Sequence, residues 1–198
     1  METSSLNKYG FESSFILLVL FLGFSCNYLA GYKRIYIINQ ESIKLMCEKY
    51  KCNTCITEDT NYLTRLKKFF DDTLEIKDMY QPLQAHYYIN GFLQSSFINC
   101  SAPTNGICNL DWNKNKDFEV FPPRSQVKFK DAISISEYNI LLNIKTEKTD
   151  SAIYLIWTNS FKKNSEELIK VVEINRNKFC KTCKLYLVNF DSIYISRK

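Results

Sequence analysis

The chain has 198 residues and a formal net charge of +5, from 26 lysines and arginines against 21 aspartates and glutamates, and its length suits one domain. Hydrophobic residues make up 45% and charged residues 24%, while only 5 glycines and 4 prolines occur, which excludes collagen-like and proline- or glycine-rich disordered chains. The single histidine excludes metal sites and acid–base pairs that need two imidazoles.

The amino-terminal segment contains an apolar run, Phe15–Phe24, that ends at a polar stretch. A membrane-spanning helix needs about 20 apolar residues, so this shorter run predicts the core of a signal peptide. An uncleaved signal anchor is the alternative, because Lys8 is opposed by Glu2 and Glu12 and the usual positive start is missing.

Two positions suit cleavage of this signal peptide. A cut after Ser25 has small residues at both critical positions and retains all 8 cysteines. A cut after Ala30 places the bulky Tyr28 at one of those positions and leaves an odd number of cysteines. We therefore predict a signal peptide of residues 1–25 and a mature chain of residues 26–198, secreted from the cell through the secretory pathway.

The first half of the mature chain predicts a strand followed by a long helix. Tyr32–Asn39 is rich in β-branched and aromatic residues, which favours a strand, whereas Glu41–Lys51 fits neither pattern. Apolar residues recur every three or four positions between residues 60 and 80, which predicts one long helix that Pro82 ends.

The second half predicts mainly strands. Asn90-Gly91 lies between apolar segments and predicts a hairpin, because both residues tolerate the positive φ angles of its turn. Residues 165–174 fit a short helix or a strand. Three further segments are predicted strands, the first alternating except at Leu141, the second apolar throughout and the third closing the chain: Tyr138–Ile144, Ala152–Trp157 and Lys184–Ser196.

These elements predict an α+β fold: a single disulfide-bonded domain in which one long helix, at about residues 60–80, packs on a largely antiparallel sheet. No linker rich in serine, glycine or proline divides the chain. Residues 26–198 are therefore predicted to form one domain.

The cysteines are predicted to form structural disulfides, because an exported chain enters an oxidising compartment. Two of their pairs have C-x-x-C spacing, which also suits zinc or a redox-active dithiol. The stretch from residue 56 to 179 separates the pairs, far more than the roughly 15–20 residues of a zinc ribbon. The predicted disulfide cysteines are Cys26, Cys47, Cys52, Cys55, Cys100, Cys108, Cys180 and Cys183.

Cys100 and Cys108 bracket a turn-rich loop, and we predict a disulfide between them. Six remaining cysteines allow 15 pairings, but we expect one cysteine of the carboxy-terminal C-x-x-C pair to bond to the Cys47–Cys55 cluster. Asn99 begins an Asn-Cys-Ser sequon and is the predicted glycosylation site.

Catalytic machinery is not evident in the sequence. His86, the one imidazole, lies beside two tyrosines on a predicted strand and is expected to be structural. The nucleophile-elbow, phosphate-binding and dinucleotide-binding motifs are absent, and no acid–base pair can be nominated. We therefore expect no enzyme, and no catalytic, cofactor-binding or metal-binding residue is predicted.

These features predict a secreted, non-enzymatic binding or effector protein that acts through protein–protein contact outside the cell. Aromatic residues make up 15% of the chain and could supply contact side chains as well as core. The partner is expected to be an unknown extracellular protein. Nucleic acid is not expected as a partner, because the basic residues form no stripe. No cofactor and no stable membrane span are expected either. The alternatives are an extracellular carrier of an apolar ligand and a lumenal thiol–disulfide oxidoreductase.

Overall fold

The structure, a computed structural model, describes residues 33–52, 54–99, 133–145 and 149–195. The signal peptide and the loop from Cys100 to Cys108 lie outside these ranges. In chain order the described elements are α1 (Gln40–Lys49), β1 (Thr54–Thr57), α2 (Tyr62–Phe69), α3 (Thr73–Met79), β2 (Leu83–Ile89), β3 (Phe92–Asn99), α4 (Ile135–Leu141), β4 (Ala152–Trp157), a 3₁₀ turn (Asn159–Phe161), α5 (Lys162–Phe179) and β5 (Lys184–Asn189).

The five strands form one mixed sheet in the order β1-β5-β4-β2-β3. β5 runs parallel to both of its neighbours, β1 and β4, whereas β2 pairs antiparallel with β4 and β3. The prediction of a largely antiparallel sheet is therefore only half right. A helix between β4 and β5 carries the chain back to the end where β4 began, which makes these neighbouring strands parallel.

The predicted hairpin is confirmed at β2 and β3. Asn90 and Gly91 have φ angles of 53° and 83°, so both turn residues are left-handed as a tight hairpin of this kind requires. Ile89 pairs with Phe92 directly across the turn.

Helices cover both faces of the sheet. The first core cluster lies beneath α1 and α5, and the second lies beneath α2, α3 and α4. β4 contributes alternate residues to the two clusters and is buried along its whole length, which confirms the prediction of a strand buried on both faces. The α+β class is confirmed, as a mixed sheet with helices on either side.

The helix predicted over residues 60–80 is two helices, α2 and α3. Phe70 is extended, and the Asp72 side chain accepts a hydrogen bond from Leu74 N at 2.7 Å, so a second helix starts there. α3 ends at Met79, before Pro82 as expected. The longest described helix is instead α5, with 18 residues.

The strand predicted over residues 138–144 is wrong, since this segment lies mainly in α4. Ser134 and Glu137 form a capping box that starts the helix. Tyr138 and Leu141 are buried while Ile140 is 65% exposed, which is a helical and not an alternating pattern.

The strand predicted over residues 32–39 is also wrong in its described part. Only an isolated bridge between Ile35 and Ile195 occurs there. Asn39 then caps α1 by accepting a hydrogen bond from Ser42 N at 2.9 Å. The closing strand is shorter than predicted, because β5 ends at Asn189.

Among the described residues, none of the helices combines the length and apolar character needed to cross a bilayer.

Candidate functional site

Five cysteines gather at the end of the sheet where the parallel strands β1 and β5 begin. Cys55 is the second residue of β1, and Cys183 directly precedes β5. These strands are neighbours, paired from Thr54 and Tyr186 onward, so the two C-x-x-C motifs lie at the same end of the sheet. All five cysteines belong to the core cluster beneath α1 and α5 or pack against it: Cys47, Cys52, Cys55, Cys180 and Cys183.

Two disulfides lie at this end of the sheet, Cys47–Cys55 and Cys180–Cys183, with Cα separations of 6.1 and 5.4 Å. This pairing differs from the expected bond between the carboxy-terminal motif and the Cys47–Cys55 cluster. The chain turns tightly at the end of α5, where Cys183 N donates to Cys180 O at 3.0 Å, so each of these cysteines finds its partner within the motif.

Cys52 is the free thiol among the cysteines that the structure describes. Its Sγ lies 2.7 Å from Cys55 Sγ, and the sulfurs of Cys47, Cys52 and Cys55 all lie within 4.8 Å of one another. The cluster therefore places a thiol against an existing disulfide.

The end of α1 explains why Cys52 folds back onto this disulfide. Lys51 is left-handed, with φ 44°, and its N–H donates to Glu48 O at 3.3 Å. Cys52 N donates to Cys47 O at 3.4 Å, which completes a Schellman motif. The motif turns the chain back over the helix end and sets Cys52 beside Cys47.

Burial and charge act in opposite directions on the Cys52 thiol. Partial burial raises the pKa of this thiol above its ordinary value, while a backbone hydrogen bond and the positive charge of Arg176 on α5 act to lower it. The arrangement suits thiol–disulfide exchange, in which a thiolate attacks a disulfide sulfur. With the disulfide reduced, the three cysteines would be close enough to bind one metal ion. Structural zinc sites use four ligands, however, and no fourth ligand joins this group in the described ranges.

His86 is buried in β2 with both ring nitrogens hydrogen-bonded. The Gln84 amide nitrogen donates to Met79 O at 2.8 Å, so its oxygen accepts from His86 Nε2 at 2.7 Å. His86 Nδ1 then accepts from the Ser96 hydroxyl at 2.9 Å. Burial lowers the pKa of His86 to about 3, and the neutral ring has the structural role expected of it.

The opposite end of the sheet holds a buried polar network that the sequence did not reveal. Asp191, fully buried after β5, accepts hydrogen bonds from the Thr158 hydroxyl at 2.7 Å and from Asn159 N and Nδ2 at 2.7 and 2.6 Å. Lys33 N donates to Ser160 O at 2.7 Å, so the described stretch before α1 lies over this end of the sheet. Open parallel sheets usually bind ligands at this end, but here the chain's own groups occupy the network.

A partly buried ion pair lies beside this network. Glu58 pairs with Arg65, whose guanidinium also reaches Asp59 at 2.9 Å and Leu141 O at 2.8 Å. Burial raises the pKa of Glu58 while Arg65 lowers it. Arg65 thereby connects α2 with the segment after β1 and with α4, a structural role.

An open cleft of about 430 Å³ lies between α1 and α5. Lys49 and Glu166 form an ion pair across it at 3.0 Å. Leu45 lines the cleft and is 58% exposed, and Ile37, two residues before the lining residue Asn39, is 82% exposed.

Cys26, Cys100, Cys108 and the Asn99 side chain lie outside the described part of the chain, so their predicted disulfides and glycosylation stay predictions. Comparison with protein-family models, with curated proteins and with solved structures gives no match to this chain.

Proposed function

We propose that this chain is a secreted, non-enzymatic binding protein that contacts an extracellular protein through the surface around the α1–α5 cleft. The observation that carries the proposal is the exposed apolar side chain of Leu45 in the cleft, together with exposed Ile37 two residues before the lining residue Asn39. Apolar side chains at the centre of a contact, surrounded by polar groups, are typical of binding surfaces. Lys49 and Glu166 supply such polar groups at the same cleft.

The interior groups support a non-enzymatic role. His86 is 1% exposed and both of its nitrogens are hydrogen-bonded, so it does not face a substrate. The Asp191 carboxylate is likewise buried and engaged by Thr158 and Asn159. General acid–base catalysis needs a group within reach of the substrate, and these two groups are within reach only of the chain itself.

A thiol–disulfide oxidoreductase is the second candidate, favoured by Cys52 lying against the Cys47–Cys55 disulfide. It predicts catalysed reduction of insulin by dithiothreitol, which a binding protein would not accelerate. The apolar-ligand carrier receives less support, because the described cleft is lined mainly by polar and charged side chains.

The binding proposal is tested with fluorescently labelled mature protein on intact cells of the source organism, by flow cytometry. Saturable binding is expected, and the double variant Ile37→Glu, Leu45→Glu should lose at least about tenfold in affinity, because charge is placed on the contact. Leu74→Glu is the matched control, since Leu74 is 69% exposed on α3 in the opposite layer. Absence of saturable binding, or equal losses in both variants, would contradict the proposal.

A further inference from the structure

The cluster of Cys47, Cys52 and Cys55 carries an inference that goes beyond binding. Cys55 has two sulfur neighbours at once: it is bonded to Cys47, and Cys52 Sγ lies 2.7 Å away. We propose that this cluster is a thiol–disulfide exchange site in which Cys55 bonds alternately to Cys47 and to Cys52.

The backbone holds the three sulfurs together in a way that a chance encounter would not. The Schellman motif at the end of α1 fixes Cys52 beside Cys47, through the bond from Cys52 N to Cys47 O. Pairing of Cys55 with Leu187 in the sheet fixes the third cysteine. The attacking thiol and the disulfide are therefore positioned by two separate sets of hydrogen bonds.

The exchange balances without a further reactant. Cys52 loses its proton, and its thiolate attacks Cys55 Sγ, so a Cys52–Cys55 bond forms as the Cys47–Cys55 bond breaks. Cys47 leaves as a thiolate and takes up a proton. Two sulfurs are oxidised and one is reduced both before and after the step, so no oxidant or reductant is consumed.

The two pairings differ in what they fasten. The Cys47–Cys55 bond joins the last turns of α1 to the edge strand β1, across a sequence separation of 8 residues. The Cys52–Cys55 bond lies within the segment leading into β1 and leaves α1 with non-covalent contacts, among them the buried side chains Ile43 and Met46, the Ser42–Asn159 hydrogen bond and the Lys49–Glu166 ion pair. Exchange therefore frees the carboxy-terminal turn of α1, which borders the cleft through Lys49, from its covalent tie to β1.

Arg176 gives the site a feature that a merely structural thiol would not show. Its charge favours the Cys52 thiolate, against the burial that disfavours it. Exchange should accelerate about tenfold per pH unit below the thiol pKa, because the thiolate fraction rises by that factor. Arg176→Gln should slow it roughly threefold. Lys178→Gln, which removes an equal charge from the same helix, should leave the rate unchanged.

The test uses the full mature chain, secreted from eukaryotic cells, pulsed with N-ethylmaleimide, quenched in acid and digested with pepsin. Both Cys47–Cys55 and Cys52–Cys55 peptides are expected, with maleimide adducts divided between Cys52 and Cys47. A digest with the Cys47–Cys55 bond alone and adducts on Cys52 alone would overturn the proposal. A disulfide from Cys52 to Cys26 would overturn it equally.

Locked variants supply the second measurement. Cys52→Ser retains the Cys47–Cys55 bond, and Cys47→Ser should form Cys52–Cys55 instead. Amides in the last turn of α1 should exchange hydrogen at least about tenfold faster in Cys47→Ser than in Cys52→Ser. Equal exchange would contradict the release of α1. If Cys47→Ser fails to fold, the wild-type labelling pattern decides alone, and neither readout depends on the binding proposal.

Discussion

The two ends of the sheet hold the chain together by different chemistry. Where the parallel strands begin, sulfur dominates: two disulfides and the Cys52 thiol pack against one core cluster. Where the strands end, hydrogen bonds dominate, with Asp191 receiving three donors from Thr158 and Asn159. Both ends are fastened to the same sheet, so their contributions can be compared by mutation.

The two ends differ in whether a reactive side chain is left without a bonding partner. At the carboxyl end, the usual ligand-binding end of a parallel sheet, the Asp191 carboxylate accepts three hydrogen bonds from the chain itself, and Lys33 lies over this end through its bond to Ser160 O. The amino end retains an unbonded thiol in contact with a disulfide. A reactive site is therefore expected at the sulfur end, and a purely structural one at the Asp191 end.

The largest expected effect is at the hydrogen-bonded end. Asp191→Ala removes the acceptor for the buried Thr158 hydroxyl and for two partly buried donors of Asn159, and should lower the free energy of unfolding by about 3–4 kcal/mol. Urea denaturation measures this loss. Asp150→Ala, at an exposed carboxylate, is the control and should change stability by less than about 0.5 kcal/mol. If the two variants were equally stable, the network would not fasten this end.

At the sulfur end, the double variant Cys180→Ala, Cys183→Ala should lose about 2 kcal/mol, because the disulfide closes a short loop and restricts the unfolded chain only modestly. Chemical denaturation under non-reducing conditions gives the value. Cys52→Ser removes no described disulfide and should cost less than about 1 kcal/mol. A larger loss in Cys52→Ser than in the double variant would reverse the comparison.

Acid should lower the free energy of unfolding through His86, which is buried in β2. Its pKa is about 3 in the folded protein against 6.5 as the ordinary value, so the unfolded chain binds the proton more readily. The stabilisation by the neutral ring is complete above about pH 6.5 and is lost as pH falls toward 3, by up to about 1.4 kcal/mol per pH unit.

His86→Gln isolates this contribution, because the opposing pH dependence of Glu58, whose pKa burial raises, is common to both proteins. The difference in unfolding free energy between wild type and variant should therefore change across pH 6 to 4. A difference that stays constant over this range would show that the ring is protonated in the folded state.

The smallest expected effect is a gain. Lys51 is left-handed at the end of α1, where glycine is favoured, so Lys51→Gly should stabilise the protein by about 1 kcal/mol. Lys44→Gly, the same substitution within α1, should destabilise it by a similar amount, about 1 kcal/mol. Thermal unfolding of the pair gives both signs, and a loss in Lys51→Gly would mean that Lys51 makes a contact that offsets its backbone conformation.

Some elements of the fold could be predicted because their signals are local. Asn90-Gly91 specifies its own turn, and the apolar run of β4 requires burial on both faces. The prediction of a strand over residues 138–144 was wrong because it relied on the alternation of apolar and polar residues. The Ser134–Glu137 capping box, which marks the start of a helix, was the informative signal. Asp72 lies within the single helix predicted over residues 60–80, whereas in the structure it caps α3.

The candidate site was only partly predictable. The C-x-x-C spacing identified the cysteines, but their position at the same end of the sheet depends on the pairing of β1 with β5, which are far apart in sequence. Asp191, Glu58 and Arg65 carried no local signal, because their roles arise from contacts between distant segments. Burial of His86 could be inferred from its apolar neighbours, whereas its partner Ser96 required the register of the hairpin.

If the sulfur end is a thiol–disulfide exchange site, a peptic digest of the acid-quenched secreted protein will contain both pairings of Cys55. The digest should show Cys180 bonded to Cys183, and Cys55 bonded to Cys47 in one fraction of molecules and to Cys52 in the other. Cys55 bonded to Cys47 in every molecule, with Cys52 either always free or bonded to Cys26, would contradict it.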